Sequence, residues 1–318
     1  MNALSTLCSI RTHHRNRNIL PSELYPAYDS LESAVLSFSK AASLPGDPRF
    51  IRDNIQAIWM AVRLDHPEIF WTGNTFSLTA SNSTVFEPSY VLSHSEAAVD
   101  ANLLLAEVRR VEKVLAVTKD PLSIAISVHD YIATTVSYDQ YAPHHSDAYG
   151  ALVSHRGVCQ GISAAAALML NLSGVHCDTY FGKMRSQPDV FHAWNVIPYG
   201  QGRLHMDITN DLVSKENQLS RMHALMDEPE AHKILSWMGE VGVSSGYDFY
   251  RKCGAYAGSF EELQALISKI AASGSVSGEF KTSGIPVGEI VAAIASAYPG
   301  NRIKYKFSPE LELFSFEV

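Results

Sequence analysis

Apolar residues recur every three or four positions along "YDSLESAVLSFSKAA" and "DPRFIRDNIQAIWMAVRLDHPEIF", which predicts two helices with Pro45 and Pro48 punctuating the gap. "TFSLTA" and "TVFEPSYV" alternate instead and read as two strands, with "SNS" as the turn between them. Helical spacing returns over "SEAAVDANLLLAEVRRVEKVLAV", with Ser95 as the expected N-cap. Residues 1–119 are therefore expected to form a mainly helical N-terminal region.

The pattern changes at Asp120. "PLSIAISVHDYIATTV" follows an Asp120-Pro121 pair, an N-cap with proline in the first turn. A histidine-bearing loop (His144, His145) and a short helix around "DAYGALVS" come next. "SHRGVCQGISAAAALMLNLSG" then starts a helix near Cys159 that is small or apolar nearly all round, and such a helix is buried. "VHCDTYFGK", "VFHAWNVIP" and "RLHMDIT" read as strands, the last two joined by "YGQG". Helix, strand, strand, strand describes an α+β core over 120–219, a helix packed on an antiparallel sheet. Residues 220–318 mix two helices with short strands, either as a subdomain or as an extension of that sheet.

The chemistry gathers at Cys159. A helix N-terminus has unpaired amides and a partial positive charge, so it favours a thiolate placed there. The same amides, with Gln160 beside them, are positioned to face a developing oxyanion. Taken alone, a cysteine at a helix start is more often a small buried residue, so a partner must decide. His192 in "FHAWNV" and Asp207 in "LHMDIT" are the candidates. With "YGQG" as a four-residue loop, Pro198 faces Arg203 and Asp207 lies opposite Trp194; with a two-residue loop, Asp207 lies directly against His192. In either register the two side chains project from one face, as a carboxylate orienting an imidazole requires. His144, His145, His155, His176 and His205 compete, and are read as structural or substrate-contacting. Cys177 is expected to pack in the sheet and Cys253 in the last region. Trp194 either walls the site or packs in the core, and Tyr138 and Asp139 either line the cleft or close a turn.

"GVCQGISAAAALMLNLSGV", "FHAWNVI" and "LHMDIT" resemble the Cys, His and Asp motifs of the transglutaminase-like superfamily. "VHDYIATTVSYD", "DHPEIFW" and "YDFYRKCGAYAGSFEEL" resemble further segments of its bacterial members. The resemblance implies a papain-like fold and a triad of Cys159, His192 and Asp207. Its implied chemistry is cysteine-dependent hydrolysis or acyl transfer at an amide or ester carbonyl through a thioester, on a peptide-like or small acyl donor and without a cofactor. Gln160, Trp194 and Tyr138 become candidates for substrate or oxyanion contacts. A non-catalytic binding module that keeps the fold, or an amide-forming acyltransferase of natural-product assembly, are the alternatives. Thr209-Asn210-Asp211 stands where bacterial members often carry a Thr-Trp-Asp-Asp-like run.

Composition narrows the picture. In 318 residues, 33 acidic side chains outnumber 25 Lys and Arg for a net charge of -8, which disfavours a nucleic-acid surface. The one basic cluster, "RTHHRNRN" (Arg11 to Asn18), is expected to be a solvated tail. No apolar run is long enough to span a bilayer and none opens the chain, so a cytoplasmic location is expected. The four cysteines form no C-x-x-C pair and no H-E-x-x-H occurs, so no metal site is expected. The absence of an EF-hand loop makes calcium-independent chemistry the expectation.

Overall fold

The computed structural model describes residues 2–10, 13–81, 83–115, 119–214 and 218–318. In the N-terminal region, helices Tyr25–Leu36 and Pro48–Asp65 flank strand Ala42–Leu44. Asp47 caps the second helix by accepting from the amides of Arg49 and Phe50 at 2.9 and 2.8 Å. The strand joins Thr84–Tyr90 and Thr72–Ala80 in a three-stranded sheet. Helix His94–Leu115 is capped by Ser93 rather than Ser95. Ser93 and Glu96 make a reciprocal capping box, Glu96 accepting from the Ser93 amide at 2.8 Å and Ser93 Oγ from the Glu96 amide at 3.3 Å.

The basic cluster is not a solvated tail. Arg11 and Thr12 lie outside the described residues, but Arg15–Asn18 is a short helix whose Asn16 is 2% exposed. Asn16 donates its amide and Nδ2 to Asp65 at 2.9 and 2.8 Å, and Nδ2 also reaches the Thr179 carbonyl at 3.0 Å. Arg15 lies over the Tyr180 ring at 3.6 Å.

Helices Pro121–Thr135, Ala148–Val153 and Cys159–Leu172 precede a five-stranded antiparallel sheet. Its order is Leu235–Trp237, Asp178–Met184, Gln187–Tyr199, Gly202–Met206, Met226–Asp227. Pro198 faces Arg203, as one of the two expected registers has it, but Tyr199 also pairs with Gly202. The turn is therefore the two residues Gly200–Gln201, with Gly200 supplying a φ of +59°.

Alternation along the strands builds two cores. Ile197, Leu204 and Met206 pack with Leu168 and Leu170 of the Cys159 helix, and Asn195 donates to the Ser163 carbonyl at 2.9 Å. Tyr180, Trp194 and Val196 enter a second core with Met222, Leu235, Leu311 and Leu313. Residues beyond 219 thus supply both edge strands of the central sheet. They also form a separate four-stranded sheet, whose Phe280 and Phe314 pack under Leu263, Ile267, Ile290 and Ile294 of helices Phe260–Ala272 and Val287–Ala297. Among the described residues no helix is long and apolar enough to cross a membrane.

Candidate active site

Cys159 is the first residue of its helix, half-buried, with the extended Val158 as N-cap and no side chain capping the turn. The Ile162 amide already reaches the Val158 carbonyl at 3.0 Å. The amides of Cys159, Gln160 and Gly161 have no intrahelical acceptor and are open to another one.

The approach to the helix is clamped by the preceding loop. The Val158 amide donates to the His145 carbonyl at 2.8 Å, and that carbonyl sits where a Cβ on Gly161 would come within 2.4 Å of it. Only glycine fits there. His144 pairs with Asp147 at 2.8 Å, and Asp147 in turn caps helix Ala148–Val153 by accepting from Gly150 at 3.1 Å. Strands Ser137–Tyr138 and Arg156–Gly157 pair in parallel beside Cys159, with the Ser137 amide on the His155 carbonyl at 2.9 Å. His144, His145 and His155 thus hold the loop. His176 pairs with Asp178 at 3.2 Å and stacks on His13 at 3.3 Å.

His192 and Asp207 do meet. His192 Nε2 and Asp207 Oδ2 are 2.7 Å apart, with both residues buried. Asp207 stands one residue beyond strand Gly202–Met206, at the start of the 3-10 turn Ile208–Asp211, so the turn and not the ladder fixes its aim. Nε2 is committed to Asp207, which leaves Nδ1 as the ring nitrogen available to another partner. Burial alone pushes the His192 pKa down. The charge and hydrogen bond of Asp207, and then Cys159, outweigh it and raise it to about 10. The site holds an imidazolium coupled to the Cys159 sulfur at the start of its helix.

Asn210 was not singled out from sequence as a site residue. It donates Nδ2 to the same Asp207 oxygen at 2.7 Å, from three residues on in the 3-10 turn. Asp211, its neighbour, is 2% exposed and joins His129 at 3.1 Å to His223 at 2.8 Å.

The remaining candidates divide. Tyr138 is 56% exposed. Its pKa is raised by partial burial and by the charge of Cys159. Gln160 is half-buried at the helix start and lines a small cavity with Arg63, Asp147 and Thr179. Trp194 is 1% exposed, so it offers no wall to a ligand; it stacks behind His192 at 6.0 Å with 21° between the rings. Cys177 is buried in the core one residue before strand Asp178–Met184, and burial raises its pKa. Cys253 is exposed rather than packed, because it ends the short surface helix Phe249–Lys252.

Residues 109–208 match the transglutaminase-like superfamily, a span that includes Cys159, His192 and Asp207. No curated protein matches the chain. A crystal structure described as "a TGase" is 17% identical with a TM-score of 0.33, covering 46% of this chain and 46% of that one. The "Putative Cysteine Protease" of Cytophaga hutchinsonii is 12% identical with a TM-score of 0.30, covering 48% of this chain and 64% of that one. Menin, in a structure that reveals the binding site for the Mixed Lineage Leukemia (MLL) protein, is 15% identical with a TM-score of 0.31, covering 66% of this chain and 49% of that one. The chain thus spans less than two thirds of each of these structures, and likenesses this remote carry no argument about activity. The segment that folds into the Cys159 helix and the strands leading to His192 and Asp207 is a domain of the transglutaminase-like superfamily.

Proposed function

We propose that the protein is a cysteine-dependent hydrolase or acyltransferase acting on an amide or ester carbonyl of a peptide-like or small acyl donor. The observation that carries the reading is the buried His192, held by Asp207 through Nε2 and coupled to Cys159 at the start of its helix. The Cys159 thiolate adds to the carbonyl carbon, and the π pair moves onto oxygen, facing the free amides of the helix start. Collapse of this adduct breaks the C–N or C–O bond while His192 passes its Nδ1 proton to the leaving amine or alkoxide. The resulting thioester is attacked by water or an amine whose proton His192 takes. A second collapse releases the acyl product and restores thiolate and imidazolium. Asp207 keeps the ring oriented and its charge balanced throughout, and Asn210 holds the carboxylate.

Intact mass of the protein after exposure to candidate acyl donors, with and without an added amine, tests this. A mass increase of one acyl group that Cys159→Ala abolishes is expected, and the amine-dependent product separates transfer from hydrolysis. Failure to label Cys159 with reactive esters while the fold is intact would leave the binding-module alternative in its place.

A further inference from the structure

Within the N-terminal region, three segments bring metal-ligating atoms to one point. His14 Nε2 lies 2.7 Å from Glu32 Oε1, and His66 Nε2 lies 2.6 Å from the same oxygen. The three donor atoms lie within 4.8 Å of one another. They come from the residue before helix Arg15–Asn18, from helix Tyr25–Leu36, and from the end of helix Pro48–Asp65.

A second observation supports a ligand there. The other nitrogen of His66, Nδ1, meets Glu68 Oε1 at 2.8 Å, and Glu68 is fully buried with Oε2 unpaired. A carboxylate on Nδ1 fixes the tautomer that leaves the Nε2 lone pair outward, the usual support of a metal-bound histidine. On Nε2 the ring meets the Glu32 oxygen, where a metal ion would take the place of the proton that an imidazolium donates. His14 Nε2 reaches the same Glu32 oxygen from another segment. It is held at a left-handed φ of +49°, caps no amide with its side chain, and leaves one face of the cluster open at 42% side-chain exposure.

We propose that His14, Glu32 and His66 bind a zinc-type divalent ion, with Glu68 supporting His66 and a water or exogenous ligand in the fourth position. Two imidazoles and one carboxylate with an open place are a common zinc donor set. A tetrahedral ion at about 2.0–2.2 Å sets its donors about 3.3 Å apart, so binding spreads the present contacts by about half an ångström. The partly exposed His14 and Glu32 side chains can absorb that shift. The ion ties together three segments that the sequence separates by 18 and 34 positions, closing two loops around Asp65 and the Asn16 contact to the catalytic sheet.

The test is zinc titration of chelator-stripped full-length protein against a chromophoric competitor, with metal content by mass spectrometry and the visible spectrum of the cobalt-loaded form. Wild type and Cys159→Ala are expected to bind about one ion alike. His14→Ala is expected to lose at least about 100-fold in affinity, beyond the range seen when only a supporting residue is changed. Glu32→Gln, which keeps the side-chain shape, serves if His14→Ala misfolds by circular dichroism, and the same loss is expected. Equal binding by wild type and both variants, no binding by wild type, or loss only in Cys159→Ala would overturn the proposal.

Discussion

Two histidines on neighbouring strands of the central sheet each face a buried carboxylate, and the same tryptophan touches both. His192 meets Asp207 at 2.7 Å, and His205 meets Glu228 at 3.0 Å. Trp194 stacks on His192 and donates its indole N–H to His205 Nδ1 at 3.0 Å. That bond uses up the second nitrogen of His205, which must therefore carry its one proton on Nε2 and give it to Glu228. Burial then keeps the ring neutral by pushing its pKa down. His192 keeps its second nitrogen free of the indole and is coupled to Cys159, and its pKa rises to about 10 against the same burial. A histidine–carboxylate pair is thus no mark of a catalytic site. What separates the two is the partner of the other nitrogen, a spent indole donor in one case and a thiol in the other.

The largest break in this comparison comes from removing the thiol. Cys159→Ala should lower turnover on the order of 10⁶, as loss of a triad nucleophile does, and abolish the covalent adduct. Residual activity of a tenth or more would mean that the chemistry lies elsewhere.

Asp207→Asn should leave the fold intact and lower turnover about 10⁴-fold, as when a triad carboxylate is neutralised. It should also lower the His192 titration, read by NMR of the imidazole, from about 10, because Cys159 alone then opposes burial. The sign for stability follows. A histidine whose folded pKa is raised contributes stability that is complete below pH 6.5 and lost as pH rises through 10. Wild type should lose that increment over this range, and Asp207→Asn should lose less. An unmoved titration would exclude Asp207 as its cause.

Asn210→Ala sharpens the same side of the comparison. A hydrogen bond to a charged group contributes about 1.5–3 kcal/mol, so kcat should fall about 10- to 100-fold with KM unchanged. A change confined to KM would place Asn210 with the substrate instead of behind the carboxylate.

The order of Cys159, His192 and Asp207 was legible because each sits at a boundary that sequence marks: a glycine-flanked helix start, and positions of matching parity across one hairpin. Parity brought the two residues to one side of the hairpin, and the 3-10 turn that Asp207 starts then aims its carboxylate at the ring. Asn210 was illegible for the opposite reason. Its role depends on a 3-10 turn three residues long between donor and acceptor, which neither strand nor helix periodicity announces. The N-terminal histidines failed differently. "RTHHRNRN" is locally a polar tail, but Asp65, 49 residues on, takes the Asn16 amide, and Glu32 and His66 meet His14. Charge pattern within a window carries no information about partners so far along the chain. Ser93 displaced Ser95 as cap through a smaller ambiguity, since only the serine three residues before Glu96 can close the reciprocal pair.

The smallest expected effect on activity is the most searching test of the comparison, and it belongs to His205. Its neutral ring acts as one acceptor, for Trp194, and one donor, to Glu228. A glutamine amide offers the same pair of functions at a similar spacing and carries no charge at any pH. His205→Gln should therefore keep kcat/KM within about threefold of wild type, while weakened geometry in a fully buried site costs about 1–2 kcal/mol of stability. His192→Gln, the matched change one strand away, should be inactive, because an amide cannot shuttle a proton between Cys159 and the substrate. Parallel measurement of kcat/KM and thermal unfolding for the two variants checks both halves. A large activity loss in His205→Gln at near-native stability would mean that the His205–Glu228 pair acts on the chemistry through Trp194, and that the division drawn between the two histidines is wrong.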